Sequence, residues 1–155
     1  MSKTLELRRA LPADAGAVRA LTRQAYARWV PLIGREPKPM QADYDRAIAT
    51  HRIDLAHLGA EIVGLIEMIE QSDHLLIENV AVSPAFQGRG IGRALLAHAE
   101  ELAAALGYSE VRLYTNQRFA ENVMLYQRLG YRIDREEQAG SLGIAVHMSK
   151  PVRKL

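Results

Sequence analysis

The residues best suited to binding chemistry form a glycine-rich turn, Gln87-Gly88-Arg89-Gly90-Ile91-Gly92. The turn lies between a predicted strand that ends at Val82 and a predicted helix that begins near Gly90. Glycine lets the backbone approach a ligand closely, and the free amides of a helix N-terminus favour a negative charge. Arg89 and Arg93 add two guanidinium groups. The turn therefore predicts an anionic ligand of the phosphate or pyrophosphate type.

The spacing of the turn excludes two common phosphate motifs. A dinucleotide fingerprint needs Gly-x-Gly-x-x-Gly, but its last position is Arg93 when counted from Gly88 and Leu95 when counted from Gly90. A P-loop needs Gly-Lys-Ser/Thr, which the sequence lacks. What remains is Gln-x-x-Gly-x-Gly after an apolar strand; the alternative is an ordinary tight junction between strand and helix.

Two blocks of the sequence carry a family resemblance. Residues 77–96, with the pattern Ile77-Glu78-Asn79-Val80-Ala81-Val82 before the glycine turn, resemble the acetyl-CoA motif of the GNAT superfamily of N-acetyltransferases. A second block, Leu125-Tyr126-Gln127-Arg128-Leu129-Gly130-Tyr131, resembles that family's C-terminal helix and the strand after it. The resemblance covers residues 5–148 and is most specific over 77–131. It implies an acyltransferase enzyme that uses acetyl-CoA as cosubstrate.

The resemblance also implies which residues bind acetyl-CoA. The pyrophosphate is expected on the amides of residues 88–93, and the pantetheine arm beside the backbone of β-strand residues 80–82, much like an added strand. The family's asparagine before the second block is replaced by Phe119, so Asn122 or Asn116 is expected to take over its contact. The expected acetyl-CoA-binding residues are Val80, Ala81, Val82, Gln87, Gly88, Arg89, Gly90, Ile91, Gly92, Arg93 and Asn122.

Acetyl transfer to an amine needs a proton acceptor and a proton donor, because a free alkylamine has a pKa of about 10.4. Tyr126 matches the family's tyrosine near the CoA sulfur and is the expected general acid; the alternative is a tyrosine that only packs in the core. Glu78 is the expected base, on a strand face shared with Leu76, Val80 and Val82. Burial among apolar neighbours raises the pKa of a carboxyl group, which suits a base. The alternative for Glu78 is a solvated side chain without a catalytic role. In that case a water held by Tyr114 is the expected base.

The acceptor is expected to be a small-molecule or peptide amine. By analogy with the family, it binds between the first two helices and the last hairpin, where the expected contacts are Tyr26, Trp29, Arg35 and Tyr114. The alternative is that the aromatic side chains only pack beneath the loop. The attack is expected to be direct, in a ternary complex.

Composition and charge limit the domain organisation, the binding partners and the cellular location that the sequence predicts. The chain has 155 residues, a net charge of +2 and no cysteine, so it predicts one folded domain over residues 1–155 and excludes disulfides. The small, dispersed charge argues against nucleic acid, and no apolar run predicts a membrane span. No secretion signal is predicted at Met1, which favours the cytoplasm.

The five histidines show no metal-ligand spacing, so no metal is expected, and His98 is predicted to pack in the core. A homodimer remains open, and the alternative function is a non-catalytic acyl-CoA sensor or interaction module.

The elements that must position these residues follow from hydrophobic periodicity and turn signals. Strands are predicted at 5–9, 53–57, 61–70, 75–82, 111–114, 131–135 and 143–149. Helices are predicted from Pro12 to Pro31 and over 41–50, 90–106 and 119–129. On α-helix 90–106 the predicted apolar face is Ile91, Ala94, Leu95, His98, Leu102 and Ala105. The fold class is α/β and GNAT-like: a mixed, mostly antiparallel sheet of about seven strands with about four helices, in the order βααβββαβαββ.

Overall fold

A computed structural model of the protein describes residues 4–140 and 143–153. Met1, where no secretion signal is predicted, lies outside the described residues. The described strands are β1 (Leu5–Arg9), β2 (Arg52–Leu58), β3 (Glu61–Glu70), β4 (Leu75–Val82), β5 (Glu110–Asn116), β6 (Arg132–Gln138) and β7 (Ile144–Pro151). The described α-helices are α1 (Ala15–Tyr26), α2 (Val30–Ile33), α3 (Lys38–Gln41), α4 (Tyr44–Thr50), α5 (Ile91–Ala105) and α6 (Ala120–Arg128).

The seven described strands form one sheet in the order β1-β2-β3-β4-β5-β7-β6. Only the β4–β5 pair is parallel among them, and α5 provides the crossover that a parallel pair requires. The predicted α/β class with a mixed, mostly antiparallel sheet is confirmed. With the one-turn helices α2 and α3 set aside, the described elements follow the predicted order.

Apolar residues form a buried cluster on each face of the sheet. One lies under α5 and the other under α1 and α4. The buried residues of α5 are Ile91, Leu95, Leu96, Ala99 and Ala103. The buried face is therefore rotated from the predicted one, because α5 packs across both β3 and β4. His98 is at the edge of this face, where its Nε2 lies 2.6 Å from Oδ2 of the buried Asp54. It is an anchor to the sheet rather than an apolar core residue. None of the described helices is long and apolar enough to span a membrane.

The N-terminal helices differ from the prediction at two points. The first helix does not run to Pro31: α1 ends at Tyr26, a 3-10 turn follows, and Pro31 lies in the first turn of α2. Proline is tolerated there because a first-turn amide has no partner within the helix. The second helix begins at Tyr44 rather than Gln41, since the side chain of Asp43 accepts a hydrogen bond from the Arg46 amide and caps it.

A β-bulge interrupts the pairing of β3 with β4. Glu67 pairs with Asn79, and the next residue, Met68, pairs with Ile77, so Glu78 has no partner in β3. Val80 and Val82 pack with the cluster under α5, whereas Glu78 contacts Tyr114 on the opposite face. The prediction that Glu78 shares a face with Val80 and Val82 is therefore wrong, because the extra residue reverses the side-chain alternation.

The glycine at position 64 of β3 sets how closely α5 lies on the sheet. A Cβ at Gly64 would be 3.1 Å from side-chain atoms of both Ile91 and Leu95 and 3.2 Å from the carbonyl oxygen of Ala81. The first turns of α5 can therefore pack directly on β3 only because no side chain intervenes.

The variant Gly64→Ala is expected to lower the free energy of unfolding by about 1–3 kcal/mol, because the added methyl group overpacks this contact. Urea unfolding measures the change. Gly16→Ala is the matched control, since a Cβ at this exposed position of α1 meets nothing within 4 Å. Alanine in a helix is favoured over glycine by about 1 kcal/mol, so the control should be stabilised. Equal stability of Gly64→Ala and the parent would contradict the close packing of α5.

Candidate active site

A long groove runs from the end of β4, past the N-terminus of α5, to one face of α6. It brings together every predicted acetyl-CoA-binding residue except Arg89. Tyr126 also lines it, as do several apolar residues. The lining residues are Ala25, Tyr26, Arg28, Trp29, Val80, Ala81, Val82, Phe86, Gln87, Gly88, Gly90, Ile91, Gly92, Arg93, Leu96, Asn122, Leu125 and Tyr126.

The glycine turn forms the end of this groove that was predicted to bind an anion. Gly88 and Gly90 have φ angles of 81° and 82°, a left-handed conformation that favours glycine. The first helical hydrogen bond of α5 runs from the Ala94 amide to the Gly90 carbonyl, so the amides before Ala94 have no partner within the helix. Arg93 lines the groove, whereas the guanidinium of Arg89 lies 5.0 Å from the Phe86 ring centroid, outside the groove wall.

The backbone of β4 has no β5 strand beside it at the middle of the groove, where the Val82 carbonyl accepts a 3.2 Å hydrogen bond from Nε2 of Gln87. The parallel pairing with β5 covers Leu75, Leu76 and Ile77 only, and the two strands separate after the bulge. The backbone of Val80 and Val82 is thus paired with β3 on one side and has no β5 ladder on the other. Such an edge can hydrogen-bond an extended ligand with alternating amides in the way that it would accept another strand.

Tyr126 lies on α6 at the groove wall. Its ring packs 5.7 Å from the ring of Tyr131 and against the cluster under α5. Burial raises the pKa of Tyr126 to about 12, so its hydroxyl is protonated at neutral pH. The side chain both packs in the core and borders the groove, where a neutral hydroxyl can act as a proton donor.

A second cavity adjoins the groove and contains the predicted base. The Tyr114 hydroxyl donates a 2.8 Å hydrogen bond to Oε1 of Glu78. Burial and the neighbouring charge of Glu78 hold the pKa of Tyr114 well above its usual value, so Tyr114 remains a neutral donor. The lining residues are Tyr26, Ile33, Pro37, Lys38, Pro39, Glu78, Tyr114, Thr115, Asn116, Phe119, Ala139, Ile144 and Ala145.

Tyr26 is shared by the groove and the cavity. Its hydroxyl donates to Oδ1 of Asn79 at 2.9 Å and lies 3.3 Å from the Val80 carbonyl oxygen, at the bulge. This contact places Tyr26 between the open edge of β4 and the Glu78–Tyr114 pair. The two spaces therefore meet at one point of the sheet.

Of the four predicted acceptor residues, the structure places only Tyr26 and Tyr114 on the cavity wall. Trp29 lines the groove instead and stacks on Phe119 with 4.4 Å between ring centroids. The 3-10 turn after α1 changes the direction of Trp29 relative to Tyr26. Arg35 is exposed and lies on neither wall.

The structure separates the two asparagines proposed to replace the family's residue. Asn122 lines the groove. Asn116 lines the cavity, and its side-chain oxygen accepts a 2.9 Å hydrogen bond from the Arg118 amide. Phe119 is buried against Trp29 and offers no polar group. Asn122 is therefore the better placed of the two to contact a ligand in the groove.

Two buried polar residues beside the site, Asn79 and Glu67, were not predicted. Asn79 is 3% exposed, and its Nδ2 donates to the Tyr44 hydroxyl at 3.3 Å. Glu67 is 4% exposed, and its Oε2 lies 2.7 Å from Nδ1 of His51. Burial raises the pKa of Glu67, against the opposing hydrogen bond from His51. Glu67 interrupts an apolar strand in the same way as Glu78, so the signal that selected Glu78 also applied to it.

Comparison with known sequences identifies the family. The profile of the acetyltransferase (GNAT) domain matches residues 49–133, which is more than half of the chain. The protein belongs to the GNAT acetyltransferase family. The matched part of this GNAT chain includes the glycine turn, the bulge at Glu78 and Tyr126.

Two curated relatives each match less than half of this GNAT chain. It is 35% identical over 75 residues to the uncharacterized protein YxbD of Bacillus subtilis, covering 48% of this chain and 46% of that protein. It is 33% identical over 69 residues to mouse N-alpha-acetyltransferase 80, covering 44% of this chain and 21% of that protein. The chain thus spans less than half the length of either curated relative.

The fold of this GNAT protein is similar to that of a solved N-acetyltransferase. The PaiA N-acetyltransferase of Thermoplasma acidophilum, solved in complex with coenzyme A, superposes with a TM-score of 0.79. The match covers 96% of this chain and 99% of that chain at 17% sequence identity. At this identity the likeness establishes a common fold.

The GNAT glycine turn gives a test of the groove. Gly92 has no left-handed φ, and a Cβ there would lie 3.7 Å from Val82 Cγ2, an ordinary contact. Gly92→Glu is expected to weaken CoA binding about tenfold or more, because it puts a negative charge beside the anion-binding amides. Calorimetry measures the affinity. Gly16→Glu is the control, since Gly16 is likewise the second residue of its helix. Equal CoA affinities of both variants would contradict the groove assignment.

Proposed function

We propose that this GNAT protein is an acetyl-CoA-dependent N-acetyltransferase that acetylates a primary amine of a small molecule or peptide. The observation that carries the proposal is the meeting of the two spaces at Tyr26. The groove has the features that suit an extended donor with phosphate groups. The cavity has the carboxylate of Glu78, which can accept a proton from an amine. The coenzyme A complex of the PaiA relative and the name of N-alpha-acetyltransferase 80 support the same activity. We also propose that residues 1–155 form one domain and that the protein acts in the cytoplasm.

The groove residues fit acetyl-CoA by their chemistry. The amides of the glycine turn and the Arg93 guanidinium supply donors and positive charge for phosphates. The open edge at Val80 and Val82 supplies hydrogen bonds for the amides of the pantetheine arm. A backbone amide at or near Val82 is proposed to polarise the thioester carbonyl. Bound in this way, acetyl-CoA supplies an activated acetyl group.

The residues around the cavity move the protons. Glu78 accepts a proton from the incoming amine, directly or through a water, while the hydrogen bond from Tyr114 fixes its carboxylate. The free amine nitrogen then forms the new bond to the acetyl carbon, and the carbon–sulfur bond breaks. The nitrogen loses its second proton in this step, which balances the proton that Tyr126 gives to the sulfur. Tyr126 remains protonated at neutral pH, so its hydroxyl donates to the sulfur as negative charge develops there. A water held by Tyr114 is the alternative base.

Release of free thiol from acetyl-CoA, measured over a panel of amines, tests this function. We expect release that depends on the amine and yields an N-acetylated product. CoA binding without turnover of any amine would instead support the acyl-CoA sensor. Mass spectrometry after incubation with acetyl-CoA alone tests the ternary-complex mechanism, and a stably acetylated protein would contradict direct attack.

A further inference from the structure

The charges on the wall of the cavity restrict what it can bind. Among the described residues that line it, Glu78 is the one acidic side chain and Lys38 the one basic side chain. Lys38 is exposed, in the first position of α3, and forms no ion pair within residues 4–140 and 143–153. The cavity thus offers one negative charge at the bulge in β4 and one positive charge at the start of α3.

A single carboxylate compensates a single ammonium. Alkyl amines are protonated at neutral pH, so an acceptor reaches Glu78 as a cation and loses its charge only there. A second ammonium in the same molecule would find no second carboxylate on the described wall. It would also be repelled by Lys38. Removing that charge from water without a partner is unfavourable.

The other side chains of the wall favour an apolar body. Ile33, Pro39, Phe119 and Ile144 are apolar, and all four are buried or partly buried. An alkyl or aromatic group that leaves water to contact them is stabilised by the hydrophobic effect. The amine end and the body of an acceptor therefore have separate, matching surfaces.

We infer that the acetyl acceptor is a primary amine on an apolar body that carries no second positive charge. This inference rests on the proposed N-acetyltransferase function and names its substrate class. Two sources present this chemistry: a free apolar monoamine, and the N-terminal residue of a peptide that begins with an apolar side chain. Polyamines and aminoglycoside-like polycations are excluded from the class.

The test compares n-hexylamine with 1,6-diaminohexane, which differ only in the terminal ammonium. The kcat/KM per amino group is expected to be about tenfold or more higher for hexylamine, because the second charge is left unpaired. An equal or higher value for the diamine would overturn the inference while leaving the proposed function intact. Absence of turnover with every amine, although acetyl-CoA binds, would overturn the proposed function and the inference with it.

Reversing the charge of Lys38 tests whether this cavity causes the preference for the monoamine over the diamine. Lys38→Glu is expected to narrow the ratio of the two kcat/KM values several-fold, because it replaces repulsion of the second ammonium by attraction. Arg19→Glu is the control: it is exposed on α1, changes the net charge equally, and lies away from the cavity. The control should keep the parental ratio. An unchanged ratio in Lys38→Glu would overturn the assignment to this cavity.

Two peptides separate the sources of the acceptor. A tripeptide amide that begins with leucine is compared with one that begins with lysine, which adds a second positive charge. Faster acetylation of the leucine peptide than of hexylamine assigns the class to peptide N-termini, and the reverse assigns it to free monoamines; both support the inference. Preference for the lysine peptide over the leucine peptide would overturn it.

Discussion

Tyr126→Phe is expected to lower kcat by about 10²–10⁴-fold, the usual contribution of a general acid, with little change in CoA affinity. The ring of Tyr126 packs against Tyr131 and the cluster under α5, and phenylalanine keeps these contacts. Only the hydroxyl is lost, and with it the donor to the leaving sulfur. Steady-state kinetics with a saturating amine and calorimetry of CoA binding measure the two effects.

Tyr131→Phe is the matched control for this variant. The Tyr131 hydroxyl is buried and finds no hydrogen-bond partner among the described residues, and Tyr131 does not line the groove. The variant Tyr131→Phe removes a tyrosine hydroxyl from the ring next to Tyr126, so kcat should remain at the parental value. A parental kcat in Tyr126→Phe would restrict Tyr126 to a packing role in the core.

The second large effect is expected from Glu78→Gln. This substitution keeps the size of the side chain and an oxygen that can accept the hydrogen bond from Tyr114, but removes the proton acceptor. We expect kcat/KM to fall by about 10²–10⁴-fold. The acidic limb of the pH–rate profile, along which activity falls as the base becomes protonated, should disappear. CoA affinity should be retained.

The control for Glu78→Gln is Glu67→Gln. Glu67 is the neighbouring carboxyl across the bulge, is held by His51 and is absent from the cavity wall. Because burial raises the pKa of Glu67, this carboxyl binds its proton at a higher pH than an ordinary glutamate. The acidic limb should persist in Glu67→Gln. Its loss there, with an unaltered profile in Glu78→Gln, would transfer the proton acceptor to Glu67. Unaltered profiles in both variants would favour the water held by Tyr114.

The elements that form the proposed donor groove could be predicted because their signals are local. The glycine turn follows an apolar strand within a few residues, and a helix N-terminus has the same free amides in any protein. The groove accordingly contains all predicted donor residues except Arg89. The position of the Arg89 side chain could not be predicted in this way, because a long side chain can contact several different neighbours. In the structure its guanidinium lies over the Phe86 ring.

The acceptor side was predicted less well because it depends on pairing between distant segments. The bulge at Glu78 arises from the register of β3 against β4, which the alternation within β4 alone does not reveal. Tyr26 and Trp29 follow a helical spacing, but α1 gives way to a 3-10 turn between them, so they line different spaces. The roles of Asn79 and Glu67 require contacts with α1 and with the end of α4.

The unpaired Glu78 has a consequence for protein engineering. It divides β4 into two half-strands whose side chains alternate out of phase. Deleting Glu78 would restore a regular ladder and leave Val80 and Val82 on the cluster under α5, because Ile77 and Asn79 would keep their partners in β3. The cavity, however, would lose its carboxylate. A strand transplanted from a relative must therefore keep the residue count on each side of Glu78. Within that limit, residues 75–77 and 79–82 can be redesigned as separate blocks.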